Sequence, residues 1–434
     1  MRKKVLIYPC GTEIAFEIYN SVKYSTFFEV YGGSSDYDHG HFVYDKLVEK
    51  LPFISDNSSR EEVSKFNEAV KNYGFDFIYP AMDGVLTVFA RYREELDAVL
   101  VAPDAFTSEA ARRKSKTYEL LKGIIPLPRL YKEDEIPEKY PVFTKPDIAQ
   151  GSKGARRIDT REIYLSLRNS GEISGNLVLE YLPGKEYTID CFTNLEGRLV
   201  YAGGRGRNRI KTGISVNTEL VSEAENKIFW EFAEKINSVL HQRGGWFFQL
   251  REAENGELKL LEVSARIAGT SAITRNIGVN LPLLTLFTFS GQNIEEIIVN
   301  DYKIELDRAF ANSYHISLKY DRVYIDFDDT LIWNGKINLR LISFLYQCLN
   351  EGKKLILITR HDGDLTEELI KYRLTNLFDE VIHLDRTEQK SDFIDKTGAI
   401  LIDDSYGERK EVHKKLGIPV FDVPMTECLM KSDD

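Results

Sequence analysis

The chain has 434 residues, 57 Lys and Arg against 68 Asp and Glu, and a formal net charge of −11. At 43% hydrophobic and 29% charged it is too apolar for a disordered chain, and no apolar run approaches the roughly 18 residues of a membrane span. The acidic balance argues against nonspecific binding to nucleic acid, and the length fits about three domains.

The first hundred residues alternate between short β-rich runs and helical periods. Residues 4–8 read as a buried strand, since this apolar run is too short for a signal peptide and meets Pro9 and Gly11. A helix over 13–22, a strand over 27–31, a helix carrying Val63, Phe66, Val70 and Tyr73, and a strand over 75–79 follow. The pattern predicts an open α/β sheet. Cys10, Cys191, Cys348 and Cys428 are scattered without a CxxC pair, which fits a reducing cytoplasm. His39-x-His41 lacks a third ligand at metal spacing and reads as a polar loop.

From about Thr107 a helix over 109–121, capped by Ser108, leads into a strand-rich α+β region. Strands are expected over 142–145, 177–181, 187–193, 199–203, 246–252 and 258–263, the last two joined through Asn255-Gly256, with a helix over 226–240. A third region from about Tyr320 alternates again. Strands over 322–327, 354–359, 380–384 and 399–403, with helices over 339–350 and 365–374, predict a second parallel sheet.

In the middle region Lys145 ends a strand ahead of the small-residue turn 149–155, which contains Gly151, Ser152 and Gly154. Backbone N–H groups in such a turn approach phosphate closely, and the lysine supplies charge. The hairpin sets Gln249 beside Glu262, an oxygen pair suited to Mg²⁺ on nucleotide phosphates. The segment 203–211, with Arg205, Arg207, Arg209 and Lys211, is the densest basic stretch; it reads as an anion-binding loop for substrate or phosphate, or as a solvated loop.

With Glu180-Tyr181-Leu182, Glu186 and Glu262-Val263-Ser264-Ala265-Arg266 in this order, residues 1–310 resemble the ATP-grasp superfamily, particularly its carbamoyl-phosphate-synthetase-like branch. The resemblance implies a Rossmann-like preceding domain over 1–107 and an ATP-grasp domain over 108–314. It further implies ATP and Mg²⁺ as cofactors, Lys116 and Lys145 on the phosphates under the 149–155 loop, Glu180, Tyr181 and Leu182 at the adenine, and Glu186 at the ribose. Gln249 and Glu262 would hold the metal, with Arg266 near the transferred phosphate and Ala268-Gly269-Thr270-Ser271 lining the same pocket. Family chemistry is activation of a carboxylate as an acyl phosphate for attack by an amine or similar nucleophile. The family motif commonly has Asn where this chain has Ser264, a poorer metal ligand.

In the third region Asp326 stands at the end of a buried strand and Asp328 two residues on; alternate residues of an extended segment point the same way, so both reach one site, one suited to nucleophilic and the other to acid–base work. Thr359 ends a later strand, Lys390 follows, and Asp403-Asp404 end another strand. Residues 320–425 thereby resemble the haloacid-dehalogenase (HAD) superfamily, and the domain is expected over 318–434 as a capless HAD-like Rossmannoid fold. The resemblance implies Asp326 as the nucleophile, Asp328 as the general acid, Thr359 and Lys390 on the phosphate, and Mg²⁺ among Asp326, Asp328, Asp403 and Asp404.

The whole reads as a cytoplasmic bifunctional enzyme, an ATP-grasp ligase joined to a HAD phosphatase. Its expected partners are small-molecule carboxylates, nucleophiles and phosphorylated substrates, with no nucleic acid or membrane and with a homo-oligomer allowed. The alternative is a nucleotide-binding regulatory region that gates the phosphatase.

Overall fold

The computed structural model describes residues 2–149, 151, 153–211, 213–309 and 312–430. The first region is a five-stranded sheet in the order Leu47–Val48, Phe28–Gly33, Lys3–Tyr8, Phe77–Pro80, Val99–Leu100. Its neighbouring strands run parallel. The central strand carries Val5, Leu6, Ile7 and Tyr8, all buried, because a strand covered by helices on both faces needs apolar side chains on both.

Two sheets make up the middle region. A four-stranded antiparallel sheet orders Leu130–Tyr131, Asn176–Glu180, Val142–Pro146 and Arg156–Ile158. A seven-stranded antiparallel sheet begins Leu258–Ser264, Gly244–Glu252, Glu186–Thr193, Leu199–Lys211 and ends Ile214–Leu220, Ile304–Arg308, Asn312–Ile316. The Asn255-Gly256 turn forms as expected, Gly256 taking a φ of 81° that a side chain would strain. The long helix Glu223–Leu240 begins three residues before the predicted 226, at a capping box of Ser222 and Glu225.

Two sequence expectations change here. The helix over 109–121 is two helices, Ala105–Arg112 and Lys114–Leu121, separated by the extended Arg113; Asp104 rather than Ser108 caps the first. The segment 203–211 is not a loop but most of the strand Leu199–Lys211, paired on both sides. Gly204 lies where a side chain of the neighbouring helix closes in, since a Cβ there would stand 2.2 Å from Phe229.

In the third region Arg322–Ile325 lies at the centre of a five-stranded parallel sheet, with Lys354–Thr359 and Glu380–His383 on one side and Ala399–Ile402 and Val420–Phe421 on the other. The helix Leu339–Asn350 and the strand Lys354–Thr359 match their predicted bounds. A short hairpin, Ile332–Trp333 with Lys336–Ile337, is the only strand structure inserted before that helix among the described residues. The three regions meet at Arg275, which is 1% exposed. It donates to both carboxylate oxygens of Glu17, at 2.8 and 3.3 Å, to Glu427 at 2.7 Å and to the Pro424 carbonyl at 2.7 Å. Among the described residues, no helix is long and apolar enough to cross a membrane.

Candidate functional sites

The two sheets of the middle region face each other across a cleft of about 270 Å³. The four-stranded sheet contributes Phe143, Lys145, Leu179 and Glu180, and the seven-stranded sheet contributes Glu186, Arg207, Gln249, Arg251 and Leu261. Tyr181 and Leu182, in the crossing from one sheet to the other, line the cleft as well.

The seven-stranded sheet delivers its side chains in rows. Thr188 stands opposite Gln249, and Gln249 opposite Glu262, on three adjacent strands. One row along, Glu186 stands opposite Arg251 and pairs with its Nη1 at 3.3 Å and with Arg207 Nε at 3.1 Å. Alternate residues share a face of a strand, so the two rows form one continuous polar floor.

Lys145 closes the cleft from the opposite sheet. Its ammonium donates to the Tyr118 hydroxyl at 3.0 Å and the Leu261 carbonyl at 2.8 Å. Burial pushes it down to about 8, against the pull of Glu262 and Glu186. Burial also lowers Arg207 and Lys114, with Glu186 and Glu262 respectively acting in the other direction. Three cations are thus held in a partly desolvated cleft with two carboxylates between them, which is an environment that gains from polyanionic phosphate.

The lysine at the helix start is Lys114, not Lys116. Lys114 lies 4.0 Å from Glu262, donates to the Ala149 carbonyl at 3.4 Å and lines the cleft. Lys116 is about 200° further round the helix, given 3.6 residues per turn, and its ammonium stands 5.0 Å over the Phe106 ring. The break at Arg113 sets this rotation, and no spacing signal in Lys114-Ser115-Lys116 distinguishes the two. In the 149–155 turn, Ala149, Lys153 and Ala155 face the cleft, while Gly151 and Gly154 hold positive φ of 59° and 75°. Ser152 lies outside the described residues.

Of the four basic side chains in the segment, Arg207 is the one that lines the cleft, together with Ile210. Arg205 is 1% exposed and its Nε donates to Asp190 at 2.8 Å; Asp190 also accepts from Thr274 at 2.8 Å, so this guanidinium belongs to the interior. Arg209 pairs with Asp307 in an exposed contact, and Lys211 is exposed at the strand end. A strand disperses side chains that a loop could have gathered.

Arg266 is also tied elsewhere. Its Nη2 donates to Asp83 at 2.5 Å, while Ser264 donates to the same carboxylate at 2.7 Å. Burial works to raise Asp83, but Arg266 and Arg112, with the Ser264 hydroxyl, hold it down at about 2. Ser264 is therefore a hydrogen-bond donor to the first region, a role that Asp83's distance in sequence hides. Residues 268–271 pack toward that region too: Arg308 donates to the Gly269 carbonyl and pairs with Glu13 at 3.2 Å.

A second polar cluster sits at the carboxyl ends of the third sheet. Lys390, 2% exposed, donates at 2.6 Å to both Asp326 and Asp403. Oxygens of Asp326, Asp403 and Asp404 lie within 4.8 Å of one another, an all-carboxylate set suited to a hard divalent cation. Burial, then repulsion from Asp403, raises both Asp326 and Asp404. Lys390 stays above its usual value because Asp403 and Asp326 outweigh its burial. Thr330 links to Asp404, accepting from its N–H at 2.9 Å, and Thr359 is buried at the end of its strand.

Asp328 is not part of the carboxylate set. It is half exposed, and its carboxylate lies 2.8 Å from His361 Nδ1. The strand ends at Ile325, so Asp328 lies beyond the ladder, and the chain turns sharply after it, Asp329 taking a φ of 54°. His361 was not legible as a site residue; it follows Thr359 by two positions and carries no motif of its own.

Comparisons with known proteins bear on the first of these clusters. Residues 172–308 match the family model for ATP-grasp in the biosynthetic pathway with Ter operon. No curated protein matches the sequence. The Campylobacter jejuni biotin carboxylase solved with β,γ-ATP is similar over 71% of this chain and 76% of that chain, at 16% identity and a TM-score of 0.58. The biotin carboxylase domain of Hydrogenobacter thermophilus 2-oxoglutarate carboxylase, solved with MgADP and bicarbonate, aligns over 71% and 74%, at 18% identity and a TM-score of 0.59. Staphylococcus aureus N5-carboxyaminoimidazole synthetase aligns over 70% and 82%, at 13% identity and a TM-score of 0.57. The chain is a mixed α/β protein carrying the ATP-grasp fold.

Proposed function

We propose that this ATP-grasp protein binds ATP in the cleft between its two middle sheets and uses it to activate a carboxylate for attack by an amine or similar nucleophile. The observation carrying this reading is the convergence of Lys114, Lys145 and Arg207 on the Gln249–Glu262 pair. Adenine would lie against Leu179, Tyr181, Leu182 and Leu261, with Glu180 held in place by Lys259 at 2.8 Å. Glu186, between Arg207 and Arg251, suits the ribose hydroxyls. Gln249 and Glu262 would hold Mg²⁺, which when bound neutralises charge on the phosphates. Lys145 keeps one of its three ammonium hydrogens for a phosphate oxygen after those given to Tyr118 and Leu261. The substrate carboxylate oxygen attacks the terminal phosphorus and ADP leaves; the nucleophile then displaces phosphate from the acyl carbon. The resemblance of the wider chain supports a preceding domain over 1–107, an ATP-grasp domain over 108–314 and a phosphatase domain over 318–434.

For the third sheet we propose phosphomonoester hydrolysis. Asp326, placed by Lys390, attacks phosphorus, and the leaving oxygen takes its proton from Asp328, which His361 orients; water then attacks the phosphorus held on Asp326, giving its proton back to Asp328, and phosphate leaves with the Asp326 carboxylate restored. Asp326, Asp403 and Asp404 would hold Mg²⁺, and Thr359 would accept the phosphate alongside Lys390. The insertion of no more than a short hairpin among the described residues favours a bulky phosphorylated substrate.

One observation favours a second reading, a nucleotide sensor that gates the phosphatase. Arg266, expected at the transferred phosphate, is paired with Asp83 and does not line the cleft. ADP release measured against a panel of carboxylates with and without amines separates the two. A ligase forms ADP only with its acceptor present, whereas nucleotide binding with no acceptor-dependent ADP from any pair supports the sensor.

A further inference from the structure

Apart from both clusters, a cleft of about 470 Å³ opens between the first region and the third, larger than the cleft of the middle region. One wall is the end of the helix Glu13–Val22 with Lys23 and Tyr24; the other is the hairpin from Trp333 to Ile337 and the start of the following helix at Arg340. None of the residues assigned above to nucleotide or phosphate lines it.

Its charge runs against that of the chain. Arg2, Lys23, Lys46, Lys336 and Arg340 face the carboxylates Glu29 and Asp45, five cations to two anions in a protein of net charge −11. Both carboxylates are already engaged: Glu29 pairs with Lys46 and accepts from Tyr31, and Asp45 accepts from the Tyr19 hydroxyl at 3.4 Å. Lys23 has no carboxylate within 4 Å among the described residues, and its ammonium donates to the neutral Asn20 amide oxygen at 2.9 Å. Burial, with Arg340 next, pushes Lys23 down to about 8, although Glu427 and Asp45 act to raise it. Arg340 lies 3.8 Å from Glu427, a carboxylate it shares with Arg275, so the desolvated Lys23 stands beside cations that share one carboxylate, a configuration that an added anion relieves.

The walls are also aromatic. The Tyr24 and Trp333 rings meet edge to face across the domain boundary at 5.8 Å, and Lys23 stands 5.3 Å from the Tyr19 and Tyr24 centroids. Arg2 lies 5.2 Å over the Trp333 ring and donates to Asn334 at 3.0 Å. Aromatic faces next to cations accept a planar group and its charge together, and the volume is that of a small-molecule pocket.

We propose that this interdomain cleft binds a small organic anion bearing an aromatic ring, its charge against Lys23 and Arg340 and its ring against Tyr24 and Trp333. The site stands independently of the nucleotide and phosphatase readings. The test uses the full chain and phenylphosphonate, which has no phosphoester bond for hydrolysis to consume, followed by titration calorimetry and tryptophan fluorescence. Saturable one-site binding is expected, weakened about tenfold or more by Lys23→Met or by Arg340→Gln, and by a similar factor when inorganic phosphate or benzyl alcohol replaces the probe. Asp403→Asn and saturating ATP should leave it unchanged. Circular dichroism checks that each variant folds, and Arg340→Gln alone carries the test if Lys23→Met does not. Absence of saturable binding, binding indifferent to the folded cleft variants, or binding lost with Asp403→Asn or displaced by ATP overturns the proposal.

Discussion

Nucleotide binding through Lys145 should depend on pH in a way that few surface lysines would produce. Burial brings this ammonium down to about 8, so it is charged below that pH and neutral above it. If bound phosphate holds the charged form, affinity follows the fraction already charged in the free protein. That fraction is about 0.91 at pH 7 and about 0.09 at pH 9, so the dissociation constant for ATP should rise about tenfold over these two units. Titration calorimetry at fixed ionic strength reads this directly, and proton uptake on binding at pH 9 reads it a second way. Lys145→Met should bind more weakly at pH 7 and lose the slope. A flat wild-type profile, or a slope retained in Lys145→Met, would refute the placement of this lysine at the phosphates.

Arg205→Met separates the buried arginine from a substrate role. It leaves Asp190 buried with Thr274 as its remaining side-chain partner, and should cost roughly 3–5 kcal/mol in urea unfolding; ATP affinity of the folded protein should stay within about twofold. The neighbouring lysines should part company in the same binding assay. Lys114→Met should weaken ATP about tenfold, whereas Lys116→Met, which loses only its contact over Phe106, should leave affinity within about twofold.

Local chemistry made much of this architecture legible. Asn255-Gly256 announces a hairpin whose register then places Gln249 beside Glu262, and the apolar runs before Asp326, Thr359 and Asp403 identify strands of one parallel sheet. What stayed hidden depends on contacts distant in sequence. Gly203 to Lys211 looks like a loop because of its glycines, yet it is part of a paired strand whose Gly204 admits a neighbouring side chain. Arg205 has its partner 15 residues earlier on the adjacent strand, and Arg266 finds Asp83 183 residues away; periodicity carries neither relation. The exchange of Lys116 for Lys114 turns on a single extended residue, Arg113, which a continuous helical pattern conceals. Asp328 falls outside the carboxylate set for a related reason, since the strand ends at Ile325 and its alternation no longer fixes the direction of residues beyond it.

The central claim is that one chain carries two separate phosphoryl-transfer sites. Acceptor-dependent ADP formation and phosphomonoester hydrolysis should be measured in the same preparations of wild type, Glu262→Gln and Asp326→Asn. Each substitution is expected to abolish one activity and spare the other: Glu262→Gln stops ADP formation with hydrolysis intact, and Asp326→Asn does the reverse. Loss of both activities in either folded variant, or of neither, would contradict the account.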